Sequence, residues 1–156
     1  MAKGPTYKVK YRRHRKNKTD YKKRLKLLLS GEKRLVIRRG NNNIVAQIVE
    51  FTPKGDKILS SFTSQNLKKL GWKQHPGNLT SAYLVGYGLG KKSKIKKAIL
   101  DTGLHKIIKG SAIFACLKGV VDAGIDVPHD KKILPSEDRI KGKNPEELEA
   151  MKKVIK

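Results

Sequence analysis

The residues of this chain best equipped to bind or react are crowded into its first quarter. Between Thr6 and Tyr21 the sequence reads TYKVKYRRHRKNKTDY, with cationic side chains alternating with three tyrosines and almost no aliphatics. Arg12, Arg13 and Arg15 carry planar guanidinium forks that grip phosphates bidentately, and Tyr7, Tyr11 and Tyr21 offer flat rings for stacking on bases or packing against sugars. Lys8, Lys10, Lys16, Lys18, Lys22 and Arg24 add point charges, and Thr19 a hydroxyl. Basic residues interleaved with aromatics suit irregular RNA, with splayed bases and crowded phosphates, better than regular duplex DNA. A solvated tail with no specific partner is the plainer reading. An anionic membrane surface fits less well, because no apolar face recurs at helical spacing.

Other chemistry lacks its residues. The stretch GYGLGKKS at 86–93 invites comparison with nucleotide-binding loops. A P-loop would need Gly where Val85 stands and Ser or Thr where Lys92 stands, so packing glycines on a helix are the better reading. A nuclease would need several carboxylates to hold metal ions. Between residues 27 and 121 only Glu32, Glu50, Asp56 and Asp101 are acidic, and each has an ordinary structural use. Cys116 is the single cysteine, and His14, His75, His105 and His129 show no metal-ligand spacing. A G-x-S-x-G elbow is absent. No catalytic residue, metal site, cofactor or small-molecule substrate is therefore expected, and the chain reads as cytoplasmic with one packed thiol.

The elements that must position the basic residues follow from charge and patterning. The chain of 156 residues has 37 Lys and Arg against 13 Asp and Glu, a formal net charge of +24. Residues 1–26 carry +11, residues 27–121 carry +13, and residues 122–156 are neutral. Charge of that density calls for a polyanion, and its grading puts that partner toward the N-terminal side. Leu, Ile, Val and Phe number 41, enough for a packed core. Three parts are expected: a basic arm over 1–26, an α/β domain over 27–124, and a C-terminal extension over 125–156.

Thr19-Asp20 predicts a helix cap over Tyr21 to Leu29, with Leu25, Leu28 and Leu29 facing inward and Gly31 ending it. Arg34 to Arg39 and Ile44 to Thr52 read as a hairpin about Asn41-Asn42-Asn43, and Lys57 to Thr63 as a third antiparallel strand. A short helix from Ser64 leads to Trp72-Lys73, which look exposed. A long helix from Asn78 to about Lys94 places Ala82, Gly86 and Gly90 on one face, suited to close approach to a sheet. Ala98 to Asp101 is a short buried strand. Gly110-Ser111 starts a second long helix with an apolar stripe of Ile113, Phe114, Leu117, Val120 and Val121. The result is an α/β mixed sheet, a three-strand antiparallel meander plus a parallel strand, packed with helices. Residues 125–142 form a connection over the surface, and Asn144-Pro145-Glu146-Glu147 starts a last helix with few apolar residues, expected to order on a partner.

Six blocks in order, GPTYKVKYRRHRKNKTDYKKRLKLL, RLVIRRGNNNIVAQIV, NLTSAYLVGYGLG, LDTGLH, KGSAIFACLKGVVDAGIDVP and LPSEDRIKG, resemble the archaeal-type L-eighteen family of large-subunit ribosomal proteins. The resemblance runs from about Gly4 to Gly142. It implies a ribonuclease-H-like fold without nuclease activity and a structural role, binding 5S rRNA and attaching it to 23S rRNA in the central protuberance. It also implies as neighbours an L-five family protein and other large-subunit proteins. The RNA-contacting arm would then be Tyr7 through Arg24, with Arg38, Arg39, Asn42, Asn43, Trp72 and Lys73 as further candidates. A general nucleic-acid architectural protein is the alternative, and an RNA-processing enzyme a weaker one.

Overall fold

Alternation of apolar and polar residues along Arg34–Arg39 (β1), Ile44–Thr52 (β2) and Gly55–Thr63 (β3) gives each strand two unlike faces, and the computed structural model pairs them antiparallel as a meander. It describes residues 4–142 and 144–155. The start of the expected arm, 1–3, and two positions of the C-terminal extension, 143 and 156, lie outside them. A short strand, Ile99–Asp101 (β4), joins parallel to β1, so the sheet order is β3-β2-β1-β4. The expected mixed sheet is present, each strand within two residues of its expected bounds.

Leu35 and Ile37 of β1 and Ile44, Ala46 and Ile48 of β2 line one face of the sheet and are fully buried there. That face is closed by two helices in contact. The longer, Leu79–Lys92, and the apolar Ala112–Asp122 are the fourth and fifth helices of the chain, after Arg12–Arg15 (α1), Tyr21–Leu29 (α2) and Ser64–Lys69 (α3), and are named α4 and α5. Their glycines explain the contact, though not as the spacing suggested. A Cβ on Gly86 would sit 1.9 Å from the backbone oxygen of Cys116, and one on Gly119 2.1 Å from that of Tyr83. Gly90 meets Ala123 at 2.4 Å. The close approach is thus helix against helix. Gly88, a position outside the expected face, is the glycine that meets the sheet, at the ring of Phe62. Cys116 is buried between the two helices, and burial pushes its thiol up to about 12, so it stays protonated.

Two further expectations are corrected. Trp72, expected at the surface, is 5% exposed, because its indole N–H donates to Ser81 Oγ at 2.7 Å and its ring joins the core. The last helix, Pro145–Val154 (α7), needs no partner to be packed: Leu148, Met151 and the following Ile155 enter the same core. Lys152 Nζ lies 4.7 Å from the ring centroid of Tyr83, and Gln74 donates to Glu147 at 2.7 Å. Between α5 and α7 the connection is anchored by buried Ile125 and Val127, and by a helix Glu137–Lys141 (α6) whose Ile140 carbonyl accepts from Thr80 Oγ1 at 2.8 Å.

Candidate nucleic-acid interface

Because side chains alternate along a strand, the face of the sheet opposite the core carries Arg34, Val36 and Arg38 of β1, and Asp101 beside them on β4. Here α2 meets the sheet, and charge rather than apolar surface holds it. None of its residues is buried, and Leu29, expected inward, is 77% exposed, with Leu25 also exposed; Leu27 and Leu28 are the half-buried pair. The helix is capped by Asp20, which accepts from the backbone N–H of Lys23 at 3.1 Å. Lys23 Nζ reaches across to Thr102 Oγ1 at 2.8 Å and the Gly103 carbonyl at 3.1 Å.

Beside that contact runs a chain of alternating charge. Arg24 pairs with Asp56 at 2.9 Å, Asp56 with Arg34 at 2.8 Å, Arg34 with Asp101 at 3.0 Å, and Asp101 with Arg38 at 3.1 Å. Arg38 also donates to the Asp101 carbonyl at 2.7 Å, and Gly103 N–H to Asp101 Oδ1 at 2.8 Å. Burial, the largest single influence, pushes the Asp101 carboxyl up; the Arg38 charge, the Gly103 N–H and Arg34 outweigh it and hold the group below the ordinary carboxylate value. Desolvation likewise raises Asp56, and Arg34 and Arg24 bring it down. Arg34 is 2% exposed and serves the fold, whereas the Arg38 side chain is 43% exposed and keeps donor surface for a ligand. Asp101, one of the four carboxylates between residues 27 and 121, is committed to these arginines.

The arm and the β4 end enclose a cleft of about 380 Å³. Arg13, Lys18, Lys23 and Arg38 lie around it with His105, and Leu27 and Leu104 form apolar walls. Arg13 Nε donates to Thr19 Oγ1 at 2.9 Å, which sets the arm's turn over α2. Asn17 has a positive φ of 48° there.

Of the residues expected to bind RNA, the cleft gathers Arg13, Lys18, Thr19, Arg24 and Arg38. Tyr7, Lys8, Lys10, Tyr11, Arg12, Arg15, Lys16 and Lys22 stand at the surface of the arm, with Tyr11 against Tyr21 at a centroid distance of 5.2 Å. Arg39 is exposed near the cleft, its backbone N–H donating to His105 Nε2 at 3.4 Å. Asn42 is exposed at the hairpin tip, but the Asn43 side chain accepts from Ser64 Oγ and ties the turn to the start of α3. Lys73 is exposed, yet it lies beside α7 with Trp72, apart from the cleft. Trp72 is therefore withdrawn as a stacking platform. While Lys23 falls inside the expected arm, Tyr7 through Arg24, sequence reasoning missed His105 and the loop that follows. Leu104, Ile107 and Ile108 are exposed there among Lys106 and Lys109, and such apolar residues flanked by charge were the available signal.

A family model described as "Ribosomal large subunit proteins 60S L5, and 50S L18" matches residues 5–97 and 88–130. The chain belongs to this family. It is a large-subunit ribosomal protein of the L5/L18 family, a structural component of a ribonucleoprotein that serves translation. The match takes in the arm, the sheet, both long helices and the loop after β4, so all the residues of the cleft belong to the part that makes this chain an L5/L18 protein.

Proposed function

We propose that this protein binds 5S rRNA and attaches it to 23S rRNA in the central protuberance, beside an L-five family protein, in the cytoplasmic ribosome and without catalysis. The observation that carries the reading is the convergence of the arm with Arg38 and His105 around one cationic cleft in a chain of the L5/L18 family. Arm cations neutralise phosphates and release counterions, Tyr7 and Tyr11 stack on exposed bases, and the rigid body sets where the bound RNA lies. Specificity comes mainly from RNA shape, because few groups in the arm are fixed enough to read base edges.

Competition binding tests this. Labelled 5S rRNA is displaced by unlabelled 5S rRNA, tRNA or duplex DNA at ~0.15 M salt. Preference for 5S rRNA by at least about tenfold is expected; equal affinities would make the protein a general nucleic-acid architectural one.

A further inference from the structure

We propose that the cleft between the arm and the loop after β4 is a pocket for one unstacked nucleotide of the bound RNA. The inference rests on the RNA-binding reading above. A cleft of about 380 Å³ has the size of a small-molecule site. A lone phosphate would leave most of it as solvent. Its lining is also mixed in the way a nucleotide requires. Leu27 and Leu104 form apolar walls that a base can cover, and the His105 ring stands at the edge, held by the Arg39 N–H. Bases extruded from a stack are received by such walls and by histidine or arginine planes.

The phosphate end has its own donors. Lys23 is spent on Thr102 and Gly103, and Arg24 on Asp56. Among the described residues, Lys18 Nζ and the terminal nitrogens of Arg13 make no hydrogen bond or ion pair, although both side chains line the cleft. They are free to take a phosphodiester. Of the two carboxylates in the lining, Asp101 is neutralised by Arg34 and Arg38. Asp20 uses Oδ1 to cap α2, which leaves its second oxygen as an acceptor for a base amino group.

The test is an amide chemical-shift titration of the full chain with adenosine monophosphate, ribose 5-phosphate and inorganic phosphate, alongside a gel shift with 5S rRNA on the same sample. Saturable shifts at Lys18, Lys23, Gly103 and His105 are expected with adenosine monophosphate, with affinity about tenfold weaker for ribose 5-phosphate, which lacks the base. The variant His105→Ala should lower the adenosine monophosphate affinity toward that of ribose 5-phosphate while the spectrum stays folded. Equal responses to all three probes would reduce the cleft to an anion site and overturn the proposal. So would the absence of any saturable shift there. If 5S rRNA still shifts in the gel, the RNA-binding reading survives that failure; if it does not, that reading falls by its own measurement.

Discussion

Asp101 shows how far a residue's role depends on its neighbours. In the sequence it is an acid at the end of a short strand; in the fold it accepts from Arg34, Arg38 and the Gly103 N–H within 3.1 Å. Its carboxyl is held below the unfolded value of about 3.9, so the folded state favours the charged form. That contribution to stability is fully present above about pH 5 and is lost as pH falls through the lowered folded value. Asp56 acts in the same direction. Asp101→Asn, which mimics the protonated acid, should cost roughly 3 kcal/mol at neutral pH because it removes one of the two carboxylates that pair with buried Arg34 and leaves only Asp56. It should also flatten the acid limb of stability against pH. Urea unfolding at pH 7, 5, 4 and 3 measures both; parallel curves for variant and parent would mean that Asp101 does not supply the acid sensitivity.

At the scale of elements, α2 and α4 are held by different forces. Helix α2 buries no side chain and is fastened by Lys23 and Arg24 to groups on β3 and the β4 loop. Helix α4 buries ten of its residues and packs backbone to backbone on α5. The glycines at this contact have no alternative: a methyl at Gly119 of α5 would lie 2.1 Å from the Tyr83 carbonyl oxygen of α4 and force the helices apart. Gly119→Ala should therefore destabilise the fold by about 3 kcal/mol or more and lower Tm by about 10 °C. Thermal melts followed by circular dichroism would show it. A variant melting within a degree or two of the parent would contradict the close packing of this pair.

For the whole molecule, the charge is directional. Residues 1–121 carry the positive excess, while residues 122–156 are neutral and include the helix α7, packed on the core. Removing residues 1–18 deletes eight cationic residues and no acid, yet leaves Asp20 to cap α2 and the core untouched. The truncated chain should fold, bind RNA more weakly, and lose several units from the slope of log K against log salt. Filter binding across a salt series reads that slope. An unchanged slope would place the phosphate contacts on the body.

The sequence by itself determined the strands, the two long helices, the capped start of α2 and the cationic arm, because periodicity, caps and composition are local properties that neighbours in the chain enforce. It also contained the glycines of α4, but not what they approach, since that depends on which element lies across from them. The faces of α2, the burial of Trp72 and the docking of α7 were decided by tertiary structure. A leucine on a short basic helix points wherever ion pairs hold the helix, and an indole is buried once Ser81 satisfies its N–H. The cleft has the same origin. His105 is distant along the chain from Lys23 and Arg13, and only the pairing of β4 with β1 and the ion pairs of α2 bring them to one place.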